Sequence, residues 1–525
     1  MEGPVLRRSL LGAATLAWTT SSVSGGAHAA KADSLRFSWP VNAGPLDPQG
    51  YGPNQLFAQA MVYEPLVRFT EGGRVAPCLA TEWRLEEDSR AWVFRLREGV
   101  RFSDGQPFDA AAAKANIDAV LAQRDQHAWL DLVARIEGAE VLDPATLRLR
   151  LSHPYDPVLF DLSLIRPLRF ASPAALRPGG GVSAPGGTGP WRLAESRRGD
   201  RDVFLRNDDY WGEKPALREV VVKVAADANS RALALETNEI DLIYGADQLD
   251  ADTFRRFASD SRFTTAISPP LATRMLSINS ARFPTDELAV RRAIHQGINR
   301  AALVRHVLQE TEPEATSLFA RNLPHTNLDL PFLSFDREAA VAGLEAAGWV
   351  LPPGGRLRQR QGQTLALDLC FLGNDALQKA LAEAIQADLA RIGIAARLLG
   401  EDYARFKARE RSGEFGMIFA ETWGAPYDPH AYLAAMRAPA HSDWQAQRGL
   451  PMKAEIDRRI TALLVSTDAT AREADYRWVL TTLHEQAVYF PVSFLTNKLV
   501  HRKGFAKVPF GNTPSELPFA QVRPG

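Results

Sequence analysis

The chain has only two cysteines in 525 residues, Cys78 in "VAPCLATEW" and Cys370 in "LDLCF". No Cys-x-x-Cys and no thiolate zinc site can be built from them. Both sit among apolar neighbours and lie far apart in sequence, whereas a disulfide needs Cα atoms within about 7 Å, so two separate buried thiols are expected. An excess of one charge is also missing, with 61 Lys plus Arg against 62 Asp plus Glu. That excludes the basic balance left by nucleic-acid binding, and nucleic acid is not an expected partner. Beyond the first thirty residues no segment reaches the roughly eighteen continuous apolar residues of a membrane helix, so the mature chain is expected to be soluble. Gly-x-Ser-x-Gly, His-Glu-x-x-His and a Ser-x-x-Lys in helical context are absent, which leaves a hydrolase without its nucleophile and base; no enzyme is expected.

The first thirty residues differ from everything after them. "MEGPVLRRSLLGAATLAWTTSSVSGGAHAA" has Arg7 and Arg8, a short apolar run from Leu10 to Trp18, and small residues ending "AHA". This is the pattern of a cleaved export signal, with an apolar part too short to span a bilayer. The paired arginines fit a twin-arginine signal or a general secretory leader that happens to carry two arginines. Either route makes the mature protein extracytoplasmic. No lipobox cysteine follows, so a free periplasmic protein is expected rather than a lipid-anchored one. Removal of the leader, with Glu2, Arg7 and Arg8, takes the formal charge from −1 to about −2.

With 46% hydrophobic and 23% charged residues, the remainder is long enough for two or three domains that each bury a core. Its pattern is mixed α/β. "LRFSWPV" reads as a strand and "NQLFAQAMVYEPLVRF" as a helix running into a strand. "AWVFRLREGVRFSDGQPFDAAAAKANIDAVLAQR" reads as an alternating strand, a turn at Ser103 to Gly105 and a helix capped by Asp109. "DANSRALALETNEIDLIYG" is a helix followed by an apolar strand. A second domain is expected to begin near Pro269 and Pro270, where "RMLSINS" opens a strand and "ELAVRRAIHQGINRAALVRHVL" a helix. It continues to the strand "VYFPVSFL", and a Pro-containing tail follows.

The stretch "ETWGAPYDPHAYLAAMRAPAHSDW" concentrates two histidines with aromatic residues behind the strand "FGMIF". Gly424, Pro426 and Pro429 make "WGAPYDP" a loop, and Asp428 followed by Pro429 reads as an N-cap and first helical residue. "HAYLAAMRA" is then a helix, stopped before Pro439, with His430 in its first turn and His441 beyond its end. At 1.5 Å per residue the helix separates the two imidazoles by roughly 13 Å. One metal holds its nitrogen ligands at about 2 Å, so at most one of these histidines faces a ligand.

The run "LATEWRLEEDSRAWVFRLREGVRFSDGQPFDAAAAKANI", with "TGPWRL" and "RNDDYWGEKP", resembles the family-5 extracellular solute-binding proteins, receptors of peptide and nickel ABC importers. Within that family the chain is similar to the nickel receptors, through "WPVNAGPLDPQGYGPNQLFAQAMVYEPLV", "QHAWL", "IRPLRF", "TWGAPYDPHAYLAAMR" and "ELPF". The resemblance implies a two-lobed α/β periplasmic-binding-protein fold of type II, in the large cluster C form. Lobe I would take residues 31–270 and a C-terminal return over 496–525, and lobe II residues 271–495, with the ligand in the cleft between them. It implies a monomer that hands a nickel(II) chelate to an inner-membrane permease, the chelator being histidine or a dedicated metallophore. A dipeptide or oligopeptide receptor of the same family, or a receptor for another metal chelate, is the alternative.

The resemblance also assigns roles. His441 is the single protein ligand of the metal, and His430 a structural first-turn residue. A chelate bearing carboxylates needs a fixed cation and flat apolar walls. Arg166 fills the first role, and Trp129, Trp423 and Tyr427 the second. Tyr51, Leu56 and Ser515 fall in the same expected site. The sequence departs from the nickel receptors at Gln126, where a second arginine can stand, at Leu56, where a methionine can occur, and at Lys407, where a tyrosine can occur. Loss of one fixed positive charge weakens a highly carboxylated chelate unless Arg124 or Lys407 compensates.

Overall fold

Strand Ser34–Trp39 alternates apolar and polar residues, burying Leu35 and Phe37, and it seeds the largest sheet. The computed structural model describes residues 33–52 and 54–525, so the export leader expected over residues 1–30 lies outside the described residues. In that seven-stranded sheet the order is Phe263–Ile267, Lys498–Arg502, Leu242–Gly245, Ser34–Trp39, Glu219–Val224, Arg201–Arg206 and Trp191–Arg197. Ser34–Trp39 runs parallel to both of its neighbours, and the outer pairings are antiparallel.

A second, five-stranded sheet has the order Ala395–Glu401, Ala366–Leu372, Met417–Glu421, Ala272–Ile278 and Tyr489–Leu495. Its interior strand Ala272–Ile278, between Met417–Glu421 and Tyr489–Leu495, is buried at every position, as expected for a strand covered on both faces. The chain passes from the first sheet to the second between Ile267 and Ala272 and returns between Leu495 and Lys498. The two crossings are tied together: Ser268 N donates to Asn497 O at 3.0 Å, Asn497 N donates to Ser268 Oγ at 2.8 Å, and Leu271 N donates to Leu495 O at 2.9 Å.

The third sheet is antiparallel, in the order Ala80–Leu85, Ala91–Leu96, Thr146–Leu151 and Ile136–Asp143. Helix Ala110–Ala122 crosses beside it, capped as expected by Asp109, whose carboxylate accepts from Ala112 N. The core of this sheet is continuous with Tyr432, Leu433, Ile456, Leu463, Val479 and Leu483 from the helical segment between strands Met417–Glu421 and Tyr489–Leu495 of the second sheet. Ion pairs cross the same boundary, Arg472 to Asp156 at 2.8 Å and Arg437 to Asp131 at 3.1 Å.

Both cysteines are buried and free. Among the described residues no helix is long and apolar enough to cross a membrane. One expected helix is two: Leu288–Gly297 ends, and Arg300–His306 restarts with the Asn299 side chain accepting from Ala302 N. The capping preference of Asn overrides the continuous apolar period there.

Candidate functional site

Arg166 stands where three loops approach one another. Its Nη1 donates to Gly50 O at 3.4 Å, and its guanidinium carbon lies 4.9 Å from the centre of the Tyr51 ring. The next arginine, Arg169, is buried and ion-paired to Glu516 at 2.6 Å, whereas among the described residues no carboxylate pairs with the half-buried Arg166. Arg166 therefore keeps donors for an incoming carboxylate, which a planar guanidinium can grip with two parallel hydrogen bonds. It also lines a cavity of about 290 Å³, together with Leu56, Ser515, Trp39 and Tyr244.

Ser515 owes its place to its neighbours. Glu516 is bolted to Arg169, which also donates to the carbonyls of Tyr63 and Leu164. Asn497 Nδ2 donates to Pro514 O at 3.4 Å, so the C-terminal loop is fixed to the inter-sheet crossing. Gly424 touches the same loop: its φ is +77°, and a Cβ there would meet Pro514 Cγ at 2.6 Å and Leu271 O at 2.9 Å. Only glycine allows that approach.

From Arg166 an aromatic wall runs outward. The Trp129 indole N–H donates to the Tyr51 hydroxyl, and Tyr51 OH lies 2.8 Å from Nδ1 of the buried His127. Trp129 is 38% exposed and its ring centre is 6.1 Å from that of Tyr427. Tyr427 meets Trp423 edge-on at 6.3 Å, and Trp423 meets His441 edge-on at 6.0 Å. Tilted and edge contacts of this kind hold aromatic side chains at fixed angles with little entropy left to lose. Gln126 is exposed and donates through Nε2 to Gln49 O at 3.2 Å.

His441 precedes helix Ser442–Gln447 in extended conformation, and its side chain makes no capping bond, so the half-buried imidazole is left to other partners. Among the described residues no group of three or more His, Cys, Asp or Glu is placed to hold a metal ion. His430 is committed: Nε2 lies 2.8 Å from Asp161 Oδ1, both side chains are buried, and the Tyr155 hydroxyl donates to the same carboxylate at 2.8 Å.

Three sequence expectations need correction. Asp428 does not cap the helix, which runs His430–Ala435 with Pro429 at its cap position. Its carboxylate turns back instead, accepting from Gly424 N at 2.9 Å and Trp423 N at 3.2 Å, and so folds the loop that carries the aromatic wall. Neither suggested substitute for a second arginine is available. Arg124 is spent on the carbonyls of Val133 and Ile136, each at 2.7 Å, and Lys407 is paired with Glu410. The sequence reading also missed His127 and Arg169, although "QHAWL" placed a histidine beside Gln126.

Burial sets the electrostatics. It pushes the Tyr427 phenol up to about 12, against the pull of Arg166 and Arg169. It raises the Tyr51 phenol as well, opposed by the hydrogen bond from Trp129 and by Arg166. The Asp428 carboxyl is pushed up to about 7 by burial, despite its hydrogen bonds to Thr422, Gly424 and Trp423. Burial lowers His127, against a smaller opposing effect of Asp47, and so favours its neutral imidazole.

Residues 74–444 match the bacterial extracellular solute-binding proteins, family 5 Middle. The chain is 46% identical over 501 residues to the nickel-binding periplasmic protein of Escherichia coli (strain K12), across 95% of this chain and 96% of that one. It is 26% identical to the dipeptide-binding protein of the same strain, across 84% of this chain and 86% of that one. In three dimensions it is similar to the crystal structure of NikA from Brucella suis in complex with Fe(III)-EDTA, with a TM-score of 0.92 and 49% identity over 94% of this chain and 100% of that one.

Proposed function

The chain belongs to the bacterial extracellular solute-binding proteins of family 5, and from that premise we propose that it is a periplasmic receptor that captures nickel(II) as a small organic chelate and delivers it to the membrane permease of an ABC importer. The observation that carries this reading is the line of contacts from a carboxylate-free Arg166 through Tyr51, Trp129, Tyr427 and Trp423 to His441. Arg166 would hold a carboxylate of the chelator, the aromatic rings would sandwich its backbone, and His441 would supply the single protein ligand. Leu56 and Ser515 would bound the inner end of the cavity beside Arg166.

With Gln126 neutral and both Arg124 and Lys407 engaged, Arg166 is the one cation of this set left for the chelator. A chelate with few uncoordinated carboxylates, such as nickel bound to histidine, fits that balance better than a polycarboxylate. The two lobes would be residues 31–270 with 496–525, and residues 271–495. The hydrogen-bonded crossings at Ser268 and Asn497 would serve as the hinge on which they close over the ligand. A peptide receptor needs an acidic group for the amino terminus of its ligand, and Asp428, the acid nearest the aromatic wall in sequence, is buried and held by backbone N–H groups.

Native mass spectrometry of the protein purified from periplasm tests the reading. The expected mass increment is one nickel plus one small organic chelator. A peptide mass, or nickel with no organic companion, contradicts it.

A further inference from the structure

His127 is 0% exposed, yet among the described residues its Nε2 has no hydrogen-bond partner, while its Nδ1 lies 2.8 Å from the Tyr51 hydroxyl. Donor counting favours one tautomer. Trp129 Nε1 is a donor only, so Tyr51 oxygen must accept from it, and the single hydroxyl proton of Tyr51 is then free to point at His127. With that proton on the 2.8 Å contact, His127 Nδ1 accepts it and the imidazole hydrogen sits on Nε2, where nothing among the described residues receives it; in the opposite tautomer Nδ1 would donate to Tyr51 and Nε2 would be a buried unpaired acceptor. The groups facing the imidazole are Tyr51 and, at longer range, the carboxylate of Asp47.

A buried donor left without an acceptor works against folding stability, and residues retained in that condition concentrate at functional sites. Here the residue stands directly behind the expected ligand surface. Tyr51 carries Arg166 over its ring face, and Trp129 forms the exposed part of the wall. A phenol that donates its proton also gains electron density in the ring, which strengthens its attraction for the guanidinium above it.

We infer that His127 is a positioning residue: as a neutral acceptor behind the binding surface, it fixes the hydroxyl of Tyr51 and through it both the Trp129 indole and the platform under Arg166. The inference deepens the chelate-receptor reading and rests on it for its affinity arm. His127→Asn keeps an acceptor near the place of Nδ1, whereas His127→Leu fills similar space without one.

Two measurements test it. In calorimetry with nickel–histidine, His127→Leu is expected to bind about tenfold more weakly while His127→Asn stays within about threefold of wild type, and the melting temperature of His127→Leu is unchanged or higher. The second needs no ligand. By NMR, the Trp129 indole N–H, assigned through its loss in Trp129→Phe, is protected from solvent exchange in wild type and His127→Asn and exchanges faster in His127→Leu. Equal indole exchange in all three proteins overturns the inference, whatever they bind. So does a wild-type affinity in His127→Leu, or a His127→Asn that fails as badly as His127→Leu. If the wild type itself does not bind the chelate, the receptor reading fails, and the exchange experiment still decides the role of His127.

Discussion

His430 Nε2 lies 2.8 Å from Asp161 Oδ1, with 5% and 0% of the two side chains exposed. Of the two histidines in the segment from Glu421 to Trp444, this one joins the third sheet's surroundings to the loop behind the second sheet, and His441 is the one proposed to meet a ligand. His430→Ala strands a buried carboxylate and is expected to cost about 3–5 kcal/mol of stability. Where the variant is still folded, its affinity for nickel–histidine stays within about threefold of wild type. His441→Ala is expected to do the opposite, with stability preserved and affinity down at least about tenfold. Denaturant titration and calorimetry on the same two proteins separate these outcomes, and matched losses in both would contradict the division of roles.

Arg166 and Gln126 make a charge prediction. Arg166→Lys keeps the charge but not the planar fork, and is expected to weaken nickel–histidine about tenfold. Gln126→Arg restores a second fixed cation and is expected to improve a nickel–polycarboxylate complex such as nickel–EDTA by about tenfold relative to nickel–histidine. An unchanged preference between the two chelates in Gln126→Arg would show that charge at this position does not set ligand choice.

Asp428 gives the protein a pH signature. Burial holds its carboxyl up at about 7, while in an unfolded chain it ionises near about 4. The folded state therefore keeps a proton that the unfolded state has lost. The stabilisation is full below the unfolded value and disappears as pH rises through about 7. Asp428→Asn cannot titrate, so the stability of wild type minus that of the variant is expected to fall by about 1 kcal/mol or more between pH 5 and pH 8 in ligand-free protein. A constant difference across that range would mean that Asp428 is ionised throughout.

Gly424 is predicted to be intolerant of a side chain. With φ at +77° and a Cβ position 2.6 Å from Pro514 Cγ, Gly424→Ala is expected to cost about 1–3 kcal/mol. It is also expected to weaken chelate binding, because the loop it displaces carries Trp423 and Tyr427. Retained stability with wild-type affinity would show that the C-terminal loop yields freely.

Much of this was legible in the sequence because it is local. The alternation of Ser34–Trp39, the Asp109 cap and the apolar strand Ala272–Ile278 each follow from a period or a capping preference within a few residues. What stayed hidden depends on contacts between distant segments. Asp428 reads as a cap until the backbone N–H groups of Trp423 and Gly424 compete for it. Nothing in "QHAWL" reveals that His127 lies against a tyrosine 76 residues earlier. The shared core of the third sheet with Tyr432 to Leu483 is likewise a matter of packing, which no periodicity encodes.

The central claim is that the site recognises a metal together with its chelator. Calorimetry with nickel chloride alone, beside the preformed nickel–histidine complex, tests it most directly. Tight one-to-one binding of the complex and at least about a hundredfold weaker response to the bare ion is the predicted result. Equal affinity for bare nickel would contradict it, because the imidazole of His441 would then have to belong to a group of several protein ligands, and among the described residues no group of three or more is brought together.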